Sequence, residues 1–570
     1  MYVPLFEELT TSFYACKLRN SECVWINKLS TPASYIEKGK PWEAETINRD
    51  LGYAIPGEAF PTESFILSDF KIMEAEYYGG RGLEQNGGGV RCGNANDLQV
   101  KGIGKNPLAG KYTEKWHSYG AMSLRDAVCE AIYSEMLNTV LPYGAVTSYA
   151  ILKTGVDVEY LDYGVRKVMP GASIVRDIAI RPAHFMRSPS FKPYPGLERK
   201  VFPEEIRTRL SVNSLYEYFN SGALVEENIK KFLSVTAAQL AYAKIMRISH
   251  GALGPSNFTL SGKWIDFGTV STLPSGVNIM LGKGGMPFYR EPYSTVEVLK
   301  EFVYTINKYS MSNLDFYKLE SYYFKEFEKK SFHYAGRVFG LGEEMVPHFV
   351  LSADYLTLCK RLLSLLSSGT ELICEVPETW SECDKINDWL YTLFQCLLDR
   401  NGSCQNTYSN EVSALYRIYR KCHLKLRNSK VSWRAFLTAR VLITLKQGYL
   451  QNYFFRGRIN NYVSESLHSG LRIQKLVDET IKQASWIYEQ STQIVTICQT
   501  DTVHIRYYLE SETFQIFNHL NYHKATFGSI TELAYWLTES GVLNCSSYDY
   551  QPYLNKVISL LQRIEEHEKE

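Results

Sequence analysis

The sequence lacks the features that would assign it to a membrane, to the secretory pathway or to a nucleic acid. No apolar run reaches the roughly 18 residues that a membrane-spanning helix needs. The first residues show no basic segment followed by an apolar run, so we expect no secretion signal. The 62 basic and 61 acidic side chains give a net charge of +1. This balance leaves no charge excess to favour nucleic acid or an anionic membrane.

Cysteine is present but lacks the spacing of a metal site or a disulfide framework. The 12 cysteines are scattered, and no two of them are spaced as Cys-x-x-Cys. We therefore expect neither a zinc site nor a disulfide framework. The cysteines are expected to be reduced thiols of a cytoplasmic protein. Internal repeats and low-complexity tracts are also missing. Aromatic residues, in contrast, make up 14% of the chain, with 41 tyrosines, which favours bulky core and interface packing.

Residues 250–268 have the pattern of a magnesium–nucleotide site. Asn257 lies nine residues before Asp266, and the residues between them predict a short hairpin with its turn near Gly262. A hairpin brings its ends together, so the amide oxygen and the carboxylate can bind one hard cation, as magnesium prefers. The alternative is a buried hairpin in which Asp266 caps a turn. We expect His250 to be a buried histidine that ties this loop to nearby backbone, rather than a catalytic base or a metal ligand.

Upstream, a glycine-rich turn, a strand and a helix follow one another. The turn contains Gly87 and Gly89, and glycine lets a backbone approach phosphate closely. The strand alternates apolar and polar residues and ends at Lys101. The helix, predicted over 125–137, carries Glu130, which we expect to pair with Lys101. The alternative is a solvent-facing glutamate. Kinase-like folds use these three elements in this order to cover and contact a triphosphate.

Taken together, these segments resemble the SelO family, protein adenylyltransferases with a protein-kinase fold. The resemblance runs over about residues 78–293 and includes the glycine-rich start, the Leu-Gln-Val-Lys-Gly strand and the first helix with its lead-in. It implies an α+β, protein-kinase-like two-lobed fold with an ATP cleft and an extended helical C-terminal half. It also implies ATP with magnesium, or manganese as an alternative, and transfer of AMP rather than phosphate.

The resemblance also implies a role for each matching residue. The residues expected to bind the nucleotide are Gly87, Gly89, Arg91, Lys101 and Gly120. The expected metal ligands are Asn257 and Asp266. The expected catalytic residues are Lys101, Glu130 and the residue at position 256.

Two phosphate-binding arginines are implied as well. Arg187 fits the second of them. For the first, the residues before Arg176 match the family segment, and so do the residues after Arg181. The alignment therefore does not decide which of the two arginines is the first phosphate-binding residue. The planar, permanently charged guanidinium suits phosphate oxygens. The alternative is that these arginines lie on the surface of a sheet.

Ser256 is the one departure that decides the chemistry. In the resembled family an aspartate general base precedes the magnesium-binding asparagine, and here the residue is Ser256. Serine is a poor proton acceptor at neutral pH, and general-base help is worth about 10²–10⁴-fold in rate. We therefore expect a carboxylate acceptor, already ionised, that is activated as an acyl-adenylate. The alternatives are a nucleotide-binding pseudokinase subunit and a protein that adenylylates hydroxyl side chains.

Some peptide-maturation systems, notably those of siderophore-linked microcins, use a large subunit that resembles this family. There the C-terminal carboxylate of a peptide becomes esterified to a sugar-bearing catecholate siderophore. The resemblance thus implies a protein or peptide substrate, a small acyltransferase-like partner and a catecholate siderophore conjugate. No nucleic-acid partner and no membrane span is expected.

Four regions are predicted along the chain. They are a loop-rich leader on the small lobe over 1–70, the small lobe over 71–200, a helical large lobe with the metal-binding loop over 201–455, and a helical C-terminal region over 456–570. The clearest later helices are predicted at 297–310, 354–367, 384–399, 411–426 and 477–490. Residues 281–293 resemble an activation-type segment. Residues 416–427 alternate basic and apolar side chains, and we expect an amphipathic helix that docks a protein partner.

Overall fold

The structure, a computed structural model, has a mixed α+β fold of 50% helix and 19% strand. It describes residues 3–80, 85–162, 164–198, 201–274, 277–279, 287–367, 371–373, 384–399, 408–426, 430–491, 493–519, 523–540 and 548–569. The predicted fold class is therefore confirmed at the level of α+β. Arg427 and residues 281–286 of the predicted activation-type segment lie outside the described residues.

The strands form one large sheet and three small ones. The strands are β1 Thr10–Leu18, β2 Glu22–Ile26, β3 Tyr53–Ala54, β4 Phe65–Glu76, β5 Cys92–Ala95, β6 Leu98–Lys101, β7 Ser148–Asp162, β8 Val165–Asp177, β9 Ile248–Ser249, β10 Ser271–Thr272, β11 Val277–Ile279, β12 Glu371–Ile373, β13 Ile494–Gln499, β14 Val503–Tyr508, β15 Thr513–Asn518 and β16 His523–Phe527.

Sixteen α-helices lie within the described residues. The helices are α1 Ala33–Glu37, α2 Ala44–Leu51, α3 Lys115–Ser118, α4 Leu124–Val140, α5 Glu204–Phe219, α6 Gly222–Ile245, α7 Glu291–Tyr309, α8 Phe316–Val338, α9 Ala353–Ser367, α10 Lys385–Leu398, α11 Ser409–Lys425, α12 Trp433–Leu450, α13 Arg456–His468, α14 Ile473–Ile487, α15 Ile530–Ser540 and α16 Gln551–Lys569. No helix among the described residues is long and apolar enough to cross a membrane.

The large sheet has eight strands in the order β2-β7-β8-β6-β5-β4-β1-β3, and every pairing in it is antiparallel. The first 70 residues supply β1, β2, β3 and the start of β4, so the predicted loop-rich leader is wrong. The prolines there lie outside these strands. Within β1, Phe13 and Ala15 are buried while Tyr14 is exposed, the alternation of a strand with one buried face. The leader is therefore part of the sheet rather than a wrapping around it.

Helix α4 packs against β7 and β8 and begins as its sequence predicts. The hydroxyl of Ser123 accepts the backbone N–H of Asp126 over 3.1 Å, which caps the helix. Fourteen of its 17 residues are buried, because the sheet lies on one side and α13 and α14 on the other. The predicted helix at 125–137 is confirmed, and Glu130 is among its buried residues.

The five later helices predicted from the sequence are all present as α7, α9, α10, α11 and α14. Docking of this amphipathic helix to a partner protein stays a prediction. The apolar side of α11, with Ile418, Tyr419 and Cys422, is buried against α9 and α10 of the same chain. Arg417 on its exposed side pairs with Asp354 of α9 at 2.7 Å. Most of the apolar side of this helix is therefore covered within the chain, while Tyr416 and Leu424 stay exposed.

The prediction that residues 456–570 are helical is wrong for their central part. Strands β13–β16 form a four-stranded antiparallel meander. In β14, Val503, Ile505 and Tyr507 are buried while the residues between them are partly exposed. That alternation has a period of two, which is the signature of a half-buried strand rather than a helix. The buried side chains join the main core.

Candidate nucleotide-binding site

The candidate site is built on one face of the large sheet, where β5, β6 and β8 lie side by side. Cys92 is opposite Lys101 and Gln99 is opposite Arg176 in the strand registers. Side chains on one face alternate along each strand, so Gln99 and Lys101 share a face. Helix α4 covers this face and brings Glu130 onto it. The sheet thus positions a row of polar side chains against a buried helix.

Lys101 and Glu130 form the predicted ion pair. The ammonium nitrogen of Lys101 lies 2.6 Å from Oε2 and 2.9 Å from Oε1 of Glu130, and both side chains are at most 3% exposed. Lys101 also contacts the carboxylate of Asp266, 165 residues further along the chain. This second contact was not predicted. It brings the lysine strand and the Asp-Phe-Gly segment into one cluster.

Asp266 remains 38% exposed although it lies at the centre of that cluster. Burial raises the pKa of its carboxyl, but the charges of Lys101, Arg91 and Arg176 outweigh burial and hold the pKa well below its usual value. Its backbone has a φ of 69°, the left-handed conformation that a non-glycine residue adopts only when its surroundings impose it. Asp266 is therefore an ionised, partly accessible carboxylate.

The predicted hairpin between Asn257 and Asp266 is present. Phe258 and Trp264 form an antiparallel bridge, and the N–H of Ile265 donates to the carbonyl of Asn257 over 3.1 Å. Because that bond joins Asn257 to the residue before Asp266, the two predicted metal ligands lie at neighbouring ends of the hairpin. The N–H of Gly262 closes the turn on Thr259 at 3.0 Å.

The amide oxygen of Asn257 and the carboxylate of Asp266 are too few to complete the coordination of a magnesium ion by themselves. Among the described residues, no group of three or more His, Cys, Asp or Glu side chains could hold a metal ion. One amide and one carboxylate are nevertheless the hard oxygen donors that magnesium prefers, and the ion commonly completes its shell with phosphate and water. The donor set therefore fits a magnesium ion that arrives with a nucleotide.

Ser256 is hydrogen-bonded to Asn257 and to Arg181 in this structure. Its hydroxyl donates to Oδ1 of Asn257 over 3.2 Å, and Nδ2 of Asn257 donates to the carbonyl of Ala252 over 2.6 Å. The backbone carbonyl of Ser256 accepts from Nη1 of Arg181 over 3.1 Å. Ser256 thus connects the asparagine with an arginine, and both groups of the amide have partners.

Arg176 and Arg181, between which the sequence did not decide, have different partners in the structure. Arg176 is buried, and it donates from Nη1 to Glu130 and from Nε to Gln99, both over 2.8 Å. Arg181 is also buried, and its guanidinium stacks 4.8 Å from the ring centroid of Tyr78. Its Nε and Nη2 have no hydrogen-bond partner among the described residues. The hydrogen-bonding groups of Arg176 are thus engaged by Glu130 and Gln99, whereas Arg181 keeps two buried donors without hydrogen-bond partners among the described residues.

The other two predicted arginines differ in position. Nη2 of Arg91 lies 4.0 Å from Oδ1 of Asp266, and the side chain is 40% exposed. Arg187 lies beside the glycine turn, where its carbonyl accepts the N–H of Gly80 over 3.1 Å. Its side chain is exposed. The structure thus brings Arg91 to the cluster and leaves the side chain of Arg187 at the surface.

Glu76 is a residue of this site that sequence reasoning missed. Its carboxylate accepts from Asn94 at 2.9 Å and Gln99 at 2.7 Å, and it lies 3.2 Å from the ring of His184. Burial raises its pKa, but His184 and Arg181 lower it to about 2. No sequence signal marks Glu76, since its partners come from three separate segments of the chain. It orients Arg181, whose Nη2 lies 3.6 Å away.

The charges of the cluster leave it with a surplus of cations. Four basic side chains and three carboxylates meet here: Arg91, Lys101, Arg176, Arg181 and Glu76, Glu130, Asp266. The burial of His184 lowers its pKa, so the imidazole adds no charge at neutral pH. A buried cluster with a cationic surplus favours an anionic ligand such as a phosphate group.

The predicted glycines are needed for contacts within the protein. A Cβ on Gly87 would lie 2.6 Å from the ring of Phe191, and one on Gly89 would lie 2.9 Å from the hydroxyl of Tyr78. Gly120 has a φ of +87°, and a Cβ there would lie 2.3 Å from the backbone of Gly104. Packing therefore explains these glycines, and their contact with phosphate stays a prediction.

His250 and a missed residue, Glu291, support the loop from behind. His250 is fully buried and its Nε2 lies 3.0 Å from the carbonyl of Ile265. Burial lowers its pKa to about 4, so the predicted structural role is confirmed. Glu291, at the start of α7, accepts from the hydroxyl of Ser249 and the N–H of Gly251, each over 2.7 Å. Burial raises the pKa of Glu291 to about 7. The Arg-Glu-Pro sequence before a helix was its only signal.

No family model matches the chain, and a search of curated proteins finds no match of significant similarity. The resemblance to the SelO family therefore rests on the sequence motifs alone.

Proposed function

We propose that this protein is a Mg·ATP-dependent adenylyltransferase with a protein-kinase-like fold and that its acceptor is a carboxylate. An antiparallel sheet with Lys101, a buried helix with Glu130 and a helical second part with Asn257 and Asp266 follow one another in the order of a kinase-like chain. The observation that carries the proposal is the Lys101–Glu130–Asp266 cluster beside Ser256.

The cluster supports binding of a triphosphate. Lys101 and Arg91 flank the partly exposed carboxylate of Asp266. Arg181 bonds to the carbonyl of Ser256 beside Asn257 and has two donors without hydrogen-bond partners among the described residues. Asn257 and Asp266 would hold magnesium, which neutralises charge on the phosphates when bound. Glu130 fixes the ammonium of Lys101, so little reorganisation is needed when the nucleotide enters.

The lack of a base supports a carboxylate as acceptor. Three titratable groups pack around the loop of Ser256: Asp266 pairs with Lys101, His250 bonds to backbone, and Glu291 accepts from Ser249 and Gly251. None of them is placed to take a proton from an incoming hydroxyl group. An ionised carboxylate has no proton to lose, so it needs no such group.

The reaction balances without a proton acceptor. A carboxylate oxygen forms a bond to the α-phosphorus, the bond from that phosphorus to the bridging oxygen breaks, and pyrophosphate leaves with the electron pair. The product is an acyl-adenylate that a hydroxyl can attack in a later step. We infer that the carboxylate belongs to a peptide C-terminus. Transfer to a sugar-bearing catecholate siderophore with a small acyltransferase-like partner is the maturation chemistry this would serve.

Isotope exchange between pyrophosphate and ATP tests the proposal. We expect exchange that requires a peptide with a free C-terminal carboxylate and that is lost with the same peptide as a C-terminal amide. Hydroxylamine should trap the intermediate as a hydroxamate. Label from α-labelled ATP that stays on protein hydroxyls and resists hydroxylamine would contradict the proposal.

A second candidate is a nucleotide-binding subunit without catalysis. The contact of Lys101 with Asp266 and that of Ser256 with Asn257 favour it, because the protein's own side chains then engage both metal ligands. Calorimetry decides between the two. Micromolar ATP binding with no pyrophosphate exchange for any peptide carboxylate would favour the binding subunit.

A further inference from the structure

A cavity of about 200 Å³ lies in the C-terminal part of the chain, outside the nucleotide cluster. Its lining comes from the short 3₁₀ helix Gln451–Phe454 and the following α13, from α14, from the turn between β13 and β14 at residues 500–502, and from the residue before α16. Buried side chains of these elements join one hydrophobic core, so packing holds the walls together. We call this space the α14 cavity.

Helix α14 contributes a stripe of polar side chains to the α14 cavity. Lys475, Glu479 and Gln483 follow one another at intervals of four residues, so they lie on one face of the helix. The ammonium of Lys475 lies 3.4 Å from the carboxylate of Glu479. Asp501, on the turn between the strands, lines the same cavity. Burial and the nearby charge of Asp501 raise the pKa of the Glu479 carboxyl. Two carboxylates and one ammonium thus share this space.

Gln483 supplies a donor that the protein itself does not use. The side chain is only 6% exposed, and its Oε1 accepts from the indole of Trp486 over 2.6 Å and from the hydroxyl of Tyr550 over 3.3 Å. An indole N–H can only donate, so the bond to Trp486 fixes which end of the amide is the oxygen. The amide nitrogen Nε2 has no hydrogen-bond partner among the described residues. A buried donor without a partner favours a ligand that offers an acceptor.

Three tyrosines, Tyr453, Tyr462 and Tyr550, give the α14 cavity its aromatic surface. Tyr453 and Tyr550 are buried, whereas Tyr462 is half-buried. The guanidinium of Arg458 lies 3.8 Å from the ring centroid of Tyr453 and 5.3 Å from that of Tyr462, which fixes both rings. The face of an aromatic ring carries partial negative charge, so it packs well against C–H groups.

The mixture of donors and acceptors decides which class of ligand fits the α14 cavity. Glu479 and Asp501 would repel an anion. A cation offers donors only, so it would leave Nε2 of Gln483 without an acceptor. A hydroxyl group both donates and accepts, so a ring with several hydroxyls can bond to the carboxylates and to the amide at once. The volume is below the roughly 300–1,000 Å³ of sites for drug-sized ligands, which suits a single ring.

We propose that the α14 cavity binds one neutral sugar ring. Hydroxyls of the ring would donate to Glu479 and Asp501 and accept from Nε2 of Gln483, and its C–H face would pack against Tyr462. This proposal is independent of the nucleotide chemistry, because no residue of the nucleotide cluster lines the cavity.

Saturation-transfer NMR on the full chain tests the ligand class, with the methyl pyranosides of glucose, galactose and mannose as probes. We expect saturable binding of at least one of them with a Kd of about 1 mM or lower. Tetrahydropyran-2-methanol, which keeps the ring but lacks the ring hydroxyls, should not bind. Glucuronate should bind at least about tenfold more weakly than methyl glucoside, because its carboxylate meets Glu479 and Asp501. Binding of choline but of none of the three glycosides would show a cation site and overturn the proposal.

Two variants and a matched control test the assignment of residues. Asp501→Ala should weaken glycoside binding at least about tenfold, the usual effect of losing a hydrogen bond to a charged group. Tyr462→Ala should weaken it about fivefold through loss of the ring face. Glu510→Ala, exposed on the next turn of the same meander, should leave binding unchanged. Equal affinities of Asp501→Ala and Glu510→Ala, or no saturation by any glycoside up to about 10 mM, would also overturn the proposal.

Discussion

The hydroxyl of Ser256 donates a 3.2 Å hydrogen bond to the amide oxygen of Asn257. The amide nitrogen of Asn257 in turn donates to the carbonyl of Ala252 over 2.6 Å. The two bonds fix which way the amide faces, at the position where the resembled family has a general base. Ser256 therefore positions the amide of Asn257, the proposed magnesium ligand.

Ser256→Asp should create an acceptor for hydroxyl protons. We expect transfer of AMP to the protein's own hydroxyl groups to rise by about 10²–10⁴-fold, the usual worth of general-base help. Labelling with α-labelled ATP measures it. Ser261→Asp, on the exposed turn of the same hairpin, is the control and should give no increase. If Ser256→Asp labels no better than this control, the assignment of position 256 is wrong.

Lys101→Ala and Asp266→Ala should each abolish measurable Mg·ATP binding, because each removes one member of the charged cluster. Calorimetry with and without magnesium is the measurement. Lys105→Ala is the control, since Lys105 lies near Glu58, at 3.9 Å, rather than in the cluster. Unchanged nucleotide affinity in either cluster variant would remove the basis for the nucleotide site.

Glu130→Gln should destabilise the fold as well as weaken ATP binding. The carboxylate neutralises Lys101 and Arg176, which are both buried, and removing one partner of a buried ion pair costs about 3–5 kcal/mol. Urea unfolding gives the free energy. Asp126→Asn in the first turn of the same helix should cost at most about 1 kcal/mol, because that side chain is 41% exposed. Equal losses in the two variants would contradict the structural role of Glu130.

Arg181→Lys and Arg176→Lys should separate phosphate binding from stability. Arg181 has donors without partners among the described residues, so its loss should weaken ATP binding at least about tenfold. Arg176 donates to Glu130 and Gln99, so Arg176→Lys should mainly lower the free energy of unfolding. Calorimetry and urea unfolding on both variants measure the two effects. A larger loss of ATP affinity in Arg176→Lys would reverse the assignment.

The buried Glu291 predicts a pH dependence of stability. Burial raises its pKa from 4.5 to about 7, so the folded state binds the proton more tightly than the unfolded state does. Its contribution to the free energy of unfolding is therefore greatest below about pH 4.5 and falls as pH rises to about 7, by roughly 3 kcal/mol.

Urea unfolding between pH 5 and 8 measures that slope. Glu291→Gln cannot ionise and should lack this part of the decline. Glu297→Gln, exposed on the same helix, should retain it. A slope that is the same in all three proteins would show that Glu291 does not titrate in this range.

Local patterns made much of the fold predictable. The alternation before Lys101 and the apolar spacing around Glu130 predicted a strand and a helix that the structure contains. Residues 503–508 alternate just as clearly, yet they were predicted as part of a helical region. Short strands fail more readily than helices, because they depend on partners elsewhere in the chain. The strands of the first 70 residues were missed for the same reason.

The sequence by itself determined the chemical types at the site and their local spacing, since a nine-residue hairpin brings Asn257 near Asp266 whatever surrounds it. Only the tertiary structure decided which charges meet. Lys101 contacts Asp266 across 165 residues, and Glu76 bonds to partners from three segments. It also decided that Arg176 is engaged by Glu130 while Arg181 keeps two donors without hydrogen-bond partners among the described residues. Such pairings depend on burial and on distances in space, and neither is encoded in the neighbouring residues of the chain.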